Sequence, residues 1–133
     1  MSIRFSENNC LESVEPRDPM HELSLALSMI EQIEFEAERH GGYIVETVYV
    51  RIGVLSGVDT QALSFAYEIA RAGTSVANSR LEIETVPLSV YCPQCKSTHS
   101  PDPQQITCPH CLTPPQEILA GRELEIRALE LSV

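Results

Sequence analysis

The chain has 133 residues, of which 19 are acidic and 9 are basic, so its formal net charge is −10. This charge repels phosphate backbones, and no run of 18 apolar residues occurs, so binding to nucleic acid or insertion into a membrane is not expected. Hydrophobic residues make up 43% and charged residues 21%, which is typical of one globular domain with a small appendage. The first 19 residues lack the apolar core of a signal peptide, so a cytoplasmic location is expected.

The N-terminal third of the chain predicts an arm followed by a helix. Residues 1–19 are polar and show no periodicity, which predicts a flexible arm that carries Cys10 as an unpaired thiol. A helix is then predicted up to the glycine pair Gly41–Gly42, with His40 complementing the dipole at its end. Its apolar positions are Leu23, Leu27, Ile30, Ile33 and Ala37, and its acidic outer face carries Glu31, Glu34, Glu36 and Glu38.

Three alternating segments and one more helix complete the predicted fold. Strands are predicted over 43–55, over 81–91 and after Gly121, and the second helix begins at an N-cap, Asp59 or Thr60, and ends near Gly73. This order predicts an α+β fold in which two helices pack on a small three-stranded sheet, with a Cys₄ zinc-ribbon lobe inserted between two strands. The predicted α/β domain comprises residues 20–90 and 117–133, and the predicted lobe comprises residues 91–116.

Four cysteines in two CxxC motifs are the strongest chemical signal in the chain. Twelve residues separate the motifs, which lets two tight turns fold back on each other around one ion. A tetrahedral Zn²⁺ takes four thiolates at about 2.3 Å. The lobe is too short for a core of its own, so the metal is expected to hold it together. The predicted zinc ligands are Cys92, Cys95, Cys108 and Cys111.

Other uses of these cysteines stay open. Iron would fit four thiolates almost as well, and Cys108–Cys111 alone could serve as a dithiol redox pair, so an electron carrier is one alternative. A zinc-ribbon adaptor that only binds another protein is another. Disulfides would need an oxidising compartment. His99 and His110 lie within or beside the motifs. They are either solvated side chains or hydrogen-bond donors to a cysteine sulfur, or groups that tune the zinc lobe with pH.

A second constellation, Met20-His21-Glu22, stands at the head of the first predicted helix. Imidazole nitrogen and carboxylate oxygen suit borderline divalent ions such as Ni²⁺ or Cu²⁺. The alternative is that His21 and Glu22 are first-turn surface residues, with Glu22 stabilised by the helix dipole. The residues alone do not choose between the two.

These motifs together resemble the HypA/HybF family of hydrogenase maturation nickel metallochaperones. The resemblance rests on the Met-His-Glu-Leu-Ser start, on Val50-Arg51-Ile52-Gly53, on the paired CxxC motifs and on Gly121-Arg122-Glu123-Leu124. It implies a nickel donor, not an enzyme, that feeds [NiFe]-hydrogenase assembly with a maturation GTPase and the hydrogenase large subunit; some members also supply urease. Monomer and homodimer both stay open.

The resemblance also implies a nickel ligand set. His21 is the principal Ni²⁺ ligand, Glu22 is an accessory ligand or orienting group, and the amine of Met20 contributes where Met20 is the first residue. In this chain nineteen residues precede Met20, so its nitrogen is acylated and has no lone pair to donate. Either the functional protein begins at Met20, which the aperiodic arm favours, or His21 binds nickel with different partners.

Overall fold

A computed structural model describes residues 2–4, 21–114 and 117–132, with the backbone alone for residues 2–4 and 21. None of the helices in these ranges is long and apolar enough to cross a bilayer. The helices and strands, in chain order, are β1 (Ser2–Arg4), α1 (His21–Arg39), β2 (Ile44–Gly53), α2 (Thr60–Ala70), β3 (Arg80–Val86), β4 (Ser89–Cys92), β5 (Ser97–His99), β6 (Glu117–Ala120) and β7 (Leu124–Ser132).

The larger sheet has the strand order β1-β7-β2-β3, with β2 parallel to β3 and the other pairs antiparallel. Residues of both helices and of strands β2 and β7 form one apolar core, so the helices cover the sheet. The predicted α+β class, with two helices on strands β7, β2 and β3, is confirmed. The fully buried core side chains include Leu25, Met29, Ile33, Val48, Val50, Leu63 and Leu129.

The fourth strand, β1, was not expected from the sequence. Residues 2–4 of the predicted flexible arm pair with β7 instead of lying free, because the edge of β7 offers unpaired backbone groups to an extended segment. The rest of the arm, including Cys10, lies outside the described residues. The division of the chain into arm, domain and lobe otherwise remains a prediction.

The segment 81–91, expected as a single strand, is two strands in different sheets. Pro87 has no backbone N–H to donate, and the chain leaves the first sheet there before β4 begins at Ser89. β4 is the central strand of a second sheet with the order β5-β4-β6. Because β6 pairs with β4, this sheet extends over residues 89–120, beyond the predicted lobe of 91–116.

Helix α1 ends as predicted and buries most of the predicted apolar stripe, including Ile30, Ile33 and Ala37. The N–H of Gly42 bonds to the carbonyl of Ala37 at 3.0 Å, and Gly41 adopts a φ of 108°, which together form a Schellman C-cap. Leu27 was predicted to be buried but is 53% exposed, whereas Leu25 and Met29 are fully buried. The buried face is therefore the predicted stripe shifted away from Leu27 and toward Leu25 and Met29, because contact with the rest of the core decides which apolar positions are covered.

The root of the lobe is held against the end of β2 by the main chain. The N–H groups of Gly53 and Leu55 bond to the carbonyls of Glu123 and Gly121, at 2.7 and 2.6 Å. A Cβ atom at Gly53 would lie 2.1 Å from the backbone carbonyl carbon and oxygen of Gly121. Residue 53 is therefore a glycine because two backbones approach each other too closely for any side chain.

We expect Gly53→Ala to lower the free energy of unfolding by about 3 kcal/mol or more, the upper end for overpacking, because the obstructing atoms are backbone. Gly73→Ala is the matched control. Gly73 has a φ of 76° but nothing within 4 Å of a Cβ, so its cost is the left-handed penalty of about 1–2 kcal/mol. Urea unfolding of both variants measures the difference, and equal losses would contradict the close-approach explanation.

Candidate metal centre

The two CxxC motifs fold into matching turns. The first begins at Cys92, the last residue of β4, and the residue after its second cysteine, Lys96, has a φ of 52°. The residue after the second cysteine of the other motif, Leu112, has a φ of 58°. A left-handed residue at the same place in both motifs turns the backbone of each motif, so that the two sulfurs of one motif face those of the other.

The four sulfur atoms form a site of the size that a tetrahedral ion requires. The Sγ atoms of Cys92 and Cys111 lie 3.4 Å apart and those of Cys95 and Cys108 lie 3.7 Å apart. All four lie within 4.8 Å of one another. A tetrahedron with metal–sulfur bonds of about 2.3 Å has edges of about 3.8 Å, so the donor set fits such an ion.

One side of the site is buried and the other is open. Cys92 and Cys108 are fully buried, whereas Cys111 is partly exposed and Cys95 is exposed. The N–H of Cys95 donates to the Cys92 sulfur at 3.4 Å, which stabilises a thiolate there. The first cysteine of each motif therefore anchors the site in the lobe, and the second closes it from the surface.

Hydrogen bonds within the cluster move two thiol pKa values apart. Hydrogen bonds with the neighbouring Cys108 and Cys111 favour the protonated form of Cys95 and raise the pKa of its thiol to about 12. The side chain and backbone of Thr113 lower the pKa of Cys111 to about 6. A metal bound by four thiolates must displace the protons that remain, so metal affinity falls as the pH falls.

The two histidines of the lobe lie next to each other and outside this sulfur cluster. The rings of His99 and His110 meet edge to face with centroids 4.9 Å apart, and His99 Nε2 lies 2.9 Å from the Ser97 hydroxyl. Neither belongs to the four-residue cluster found among the described residues. The tuning of the lobe with pH by these two histidines stays a prediction.

The predicted nickel ligands lie at the head of α1. Met20 is outside the described residues, and of His21 only the backbone is described, as the first residue of the helix. Glu22 is partly buried, and its Oε1 accepts a hydrogen bond from the N–H of Asp59 at 3.4 Å. Glu22 also lies in the first turn of α1, where the positive end of the helix dipole stabilises its negative charge.

Asp59, which the sequence indicated only as a possible N-cap of α2, contacts Glu22. Its Oδ1 accepts from the N–H groups of Gln61 and Ala62, at 3.0 and 3.2 Å, so it is the predicted N-cap of α2. Its contact with Glu22 spans 37 residues of sequence, and no local pattern could have indicated it. The N-terminus of α2 thus donates a backbone N–H to the carboxylate of Glu22, the residue that follows His21.

His40, at the other end of α1, has the structural role that was predicted for it. Its Nδ1 lies 2.9 Å from the carbonyl oxygen of Glu36, which also accepts the backbone N–H of His40 in the last turn of the helix. The side chain therefore caps α1, and the same Nδ1 lies 3.9 Å from the carboxylate of Glu36.

A small α+β domain with a four-cysteine site on a separate sheet defines the chain as a metal-binding protein. A family model described as "Hydrogenase/urease nickel incorporation, metallochaperone, hypA" matches residues 20–131. The chain therefore belongs to the HypA family of nickel metallochaperones, which are maturation factors and not enzymes.

Similar proteins agree with this assignment. The "Hydrogenase maturation factor HypA" of Chloroflexus aggregans is 45% identical over 112 residues, covering 84% of this chain and 98% of the relative. The protein of the same name from Nitrosospira multiformis is 40% identical and covers 84% and 97%. The "Solution structure of HypA protein" superposes with a TM-score of 0.63 at 26% identity, over 85% of this chain and 97% of that one.

A second solved structure supports the fold alone. The "Solution structure of the Ni metallochaperone HypA from Helicobacter pylori" has a TM-score of 0.58 at 24% identity, over 83% of this chain and 96% of that one.

Proposed function

We propose that the chain binds Ni²⁺ at the head of α1 and delivers it for [NiFe]-hydrogenase maturation, while Zn²⁺ in the four-thiolate site holds the lobe together. The observation that carries the proposal is the family match over residues 20–131, which includes both Met20-His21-Glu22 and the four cysteines. The lobe's site supports the zinc assignment, because four cysteine sulfurs within 4.8 Å of one another can all bind one ion, and four thiolates are a typical ligand set of structural zinc.

The nickel site has a different chemistry from the zinc site. We assign His21 as the principal ligand and Glu22 as an accessory ligand, with the Met20 amine added when Met20 is the first residue. Asp59 is a further candidate oxygen donor, since its N–H contacts Glu22 and only its Oδ1 is engaged by the cap of α2. Nitrogen and oxygen donors suit Ni²⁺, whereas thiolates suit Zn²⁺, so the two ions would be sorted by ligand type.

Delivery requires partners, and we propose two. A nickel-handling maturation GTPase would receive the ion from this chain or exchange it with this chain. The large subunit of a [NiFe]-hydrogenase would be the final acceptor. Nickel delivery would take place in the cytoplasm, where reduced thiols persist and a four-cysteine metal site is stable.

Two other functions remain to be tested. An electron carrier would hold iron in the same four sulfurs or oxidise Cys108 with Cys111. The two short sulfur contacts, at 3.4 and 3.7 Å, each join one motif to the other, which favours shared coordination of one ion over a pair within one motif. An adaptor would use the lobe and the acidic helix face only to bind another protein.

Metal analysis followed by nickel titration separates these functions. A nickel chaperone should purify with one Zn²⁺ per chain and bind Ni²⁺ at a second, weaker site measured by calorimetry. An iron carrier should be coloured and contain iron, and a dithiol carrier should lose two thiols reversibly on mild oxidation. An adaptor should bind zinc and show no specific nickel binding, which would refute the proposal.

The acidic face of α1 is a candidate docking surface for the GTPase, and the structure narrows the choice of residues on it. Glu34 accepts a hydrogen bond from Ser75 at 2.5 Å and Glu36 pairs with Arg39 at 3.1 Å, so both have partners within the chain. Glu31 and Glu38 are exposed and carry no ion pair among those found in the described residues. These two carboxylates are therefore the residues to test.

We expect association with the GTPase to slow as ionic strength rises, because exposed charges are screened over about 8 Å at physiological salt. Reversing both charges, with Glu31→Lys and Glu38→Lys, should lower the association rate and flatten its salt dependence in stopped-flow measurements. The control is reversal of Glu117, an exposed acidic residue on β6 of the lobe. An association rate that the double reversal leaves unchanged would mean that the face is merely solvated.

A further inference from the structure

Strand β3 forms one edge of the main sheet. It has seven residues, Arg80–Val86, and among the residues that the structure describes it pairs only with β2. An edge strand presents a row of unpaired backbone N–H and C=O groups, which is a template for an added strand. The side chains of β3 alternate between the two faces of the sheet. Leu81 and Ile83 pack against the core, whereas Glu82 and Glu84 are exposed on the opposite face.

An open cavity lies beside this edge on each face of the sheet. The helix-side cavity, of about 320 Å³, is lined by Thr60, Gln61, Ser64, Ile83 and Thr85. The open-face cavity, also of about 320 Å³, is lined by Tyr49, Val50, Glu82, Ile83, Glu84 and Arg127. Successive side chains of a strand point to opposite faces, so a strand added to β3 would direct its side chains alternately toward the two cavities.

The helix-side cavity suits small, uncharged side chains. Thr60, Ser64 and Thr85 bring hydroxyl groups to it, and Gln61 adds an amide. Ile83 contributes apolar surface to the same cavity. All five lining residues are uncharged, so a charged side chain would find no counter-ion there and would lose hydration.

The open-face cavity suits basic side chains at the edge of the sheet. Glu84 contacts the guanidinium groups of Arg51 and Arg127, on β2 and β7, at 3.5 and 3.8 Å. Both distances are longer than a normal hydrogen bond, and both contacts involve Oε2, so Oε1 is available to a cation from the outer side. Glu82 contacts Arg80 at 2.9 Å, but both side chains are largely exposed, so this pair contributes little and is easily replaced.

A second copy of β3 does not fit this edge, whereas a basic strand does. In an antiparallel pair centred on Ile83, Glu82 of each copy would face Glu84 of the other, and like charges directly opposite destabilise a pair. The formal net charge of −10 adds repulsion between two copies. A strand with a basic residue at every second position would instead place its charges opposite the two carboxylates and be attracted by the whole chain.

We propose that the outer edge of β3 binds an extended segment of a partner protein that has basic residues at every second position and small uncharged residues between them. The basic residues pair with Glu82 and Glu84, and the residues between them face the helix-side cavity. That cavity includes Thr60, which follows Asp59, and the N–H of Asp59 donates to Glu22 at the head of α1. The segment therefore docks near the proposed nickel site. That its owner exchanges nickel rests on the proposed function, whereas the docking itself does not.

The probe is a fluorescently labelled peptide, Thr-Lys-Val-Lys-Thr-Lys-Val-Thr, whose lysines alternate with uncharged residues. Fluorescence anisotropy at physiological salt should show saturable binding to the zinc-loaded chain without nickel, so a failure of the nickel proposal leaves this test intact. Two control peptides separate charge from strand pairing. Glutamate in place of each lysine should abolish binding. Proline in place of each valine should also abolish it, because proline keeps the peptide's charge but removes backbone N–H groups and disfavours a paired strand.

Variants of the chain test the two carboxylates. The double variant Glu82→Gln and Glu84→Gln should bind the lysine peptide about fivefold more weakly, the loss expected for two exposed cross-strand ion pairs. Glu130→Gln is the matched control, because it removes the same charge from the same open face, where Tyr49 donates to it, but on β7 and away from the edge. Its affinity for the peptide should equal that of the parent.

Amide chemical shifts and hydrogen exchange then locate the peptide. Nuclear magnetic resonance should show shift changes at residues 80–86 and 60–64, with slower exchange of the β3 amides, and no change in the lobe. Four results would overturn the proposal. They are the absence of saturable binding, equal binding of the proline peptide, shift changes on the acidic face of α1 in place of β3, and protection of β3 that rises with protein concentration without peptide. The second would indicate unspecific attraction to an acidic chain, and the fourth would assign the edge to a second copy.

Discussion

Replacing Cys92 or Cys108 with alanine is expected to remove the metal and unfold the second sheet while α1 and α2 keep their helical signal. Both side chains are fully buried, and all four sulfurs belong to one cluster. Ordering each residue of the lobe costs about 1–2 kcal/mol, and fully buried side chains such as Leu88 and Val90 return only about 1.5–3 kcal/mol each. A structural zinc site supplies about 10–16 kcal/mol, so the lobe depends on it.

The measurements for this prediction are zinc content, amide exchange over residues 89–120 and far-ultraviolet circular dichroism. Cys10→Ala is the control, because it removes a thiol that is not part of the four-residue cluster, and it should retain one Zn²⁺. Zinc content in Cys92→Ala or Cys108→Ala equal to that of the parent would show that the cluster does not hold the ion through these residues.

The metal centre could be anticipated from the sequence because its geometry is local. Two residues between cysteines fix one tight turn, and the left-handed Lys96 and Leu112 complete both turns in the same way. The N-cap at Asp59 and the glycine end of α1 were readable for the same reason, since capping involves backbone groups within a few residues.

Features that depend on contacts between distant segments could not be anticipated. Periodicity showed that α1 has apolar stripes, but only the sheet decides that Leu25 is covered and Leu27 is not. The contact of Glu22 with Asp59 and the close approach of Gly53 to Gly121 join residues far apart in sequence. β1 has only three residues, too few to show a period, and it is a strand because the edge of β7 was open.

His21→Ala is expected to abolish tight Ni²⁺ binding and leave Zn²⁺ in place, because the thiolate site is chemically independent of the head of α1. His40→Ala is the matched control. His40 lies at the opposite end of the same helix and bonds to the carbonyl of Glu36, so its removal should leave the nickel isotherm unchanged. Asp59→Asn keeps the N-cap of α2 but removes a charge, and a weaker nickel affinity in this variant would identify Asp59 as an oxygen donor.

The form beginning at Met20 is expected to bind Ni²⁺ at least about tenfold more tightly than the full chain, which corresponds to about 1.4 kcal/mol. Its free amine, two deprotonated backbone amides and the His21 imidazole can surround a planar, low-spin ion. The full chain has an acylated nitrogen at Met20 and must use water, Glu22 or another oxygen, which gives a six-coordinate, oxygen-rich spectrum. Calorimetry and visible absorption on both forms test this. Equal affinity and identical spectra would mean that the amine is not a ligand and that the site is built from His21, Glu22 and neighbouring oxygens.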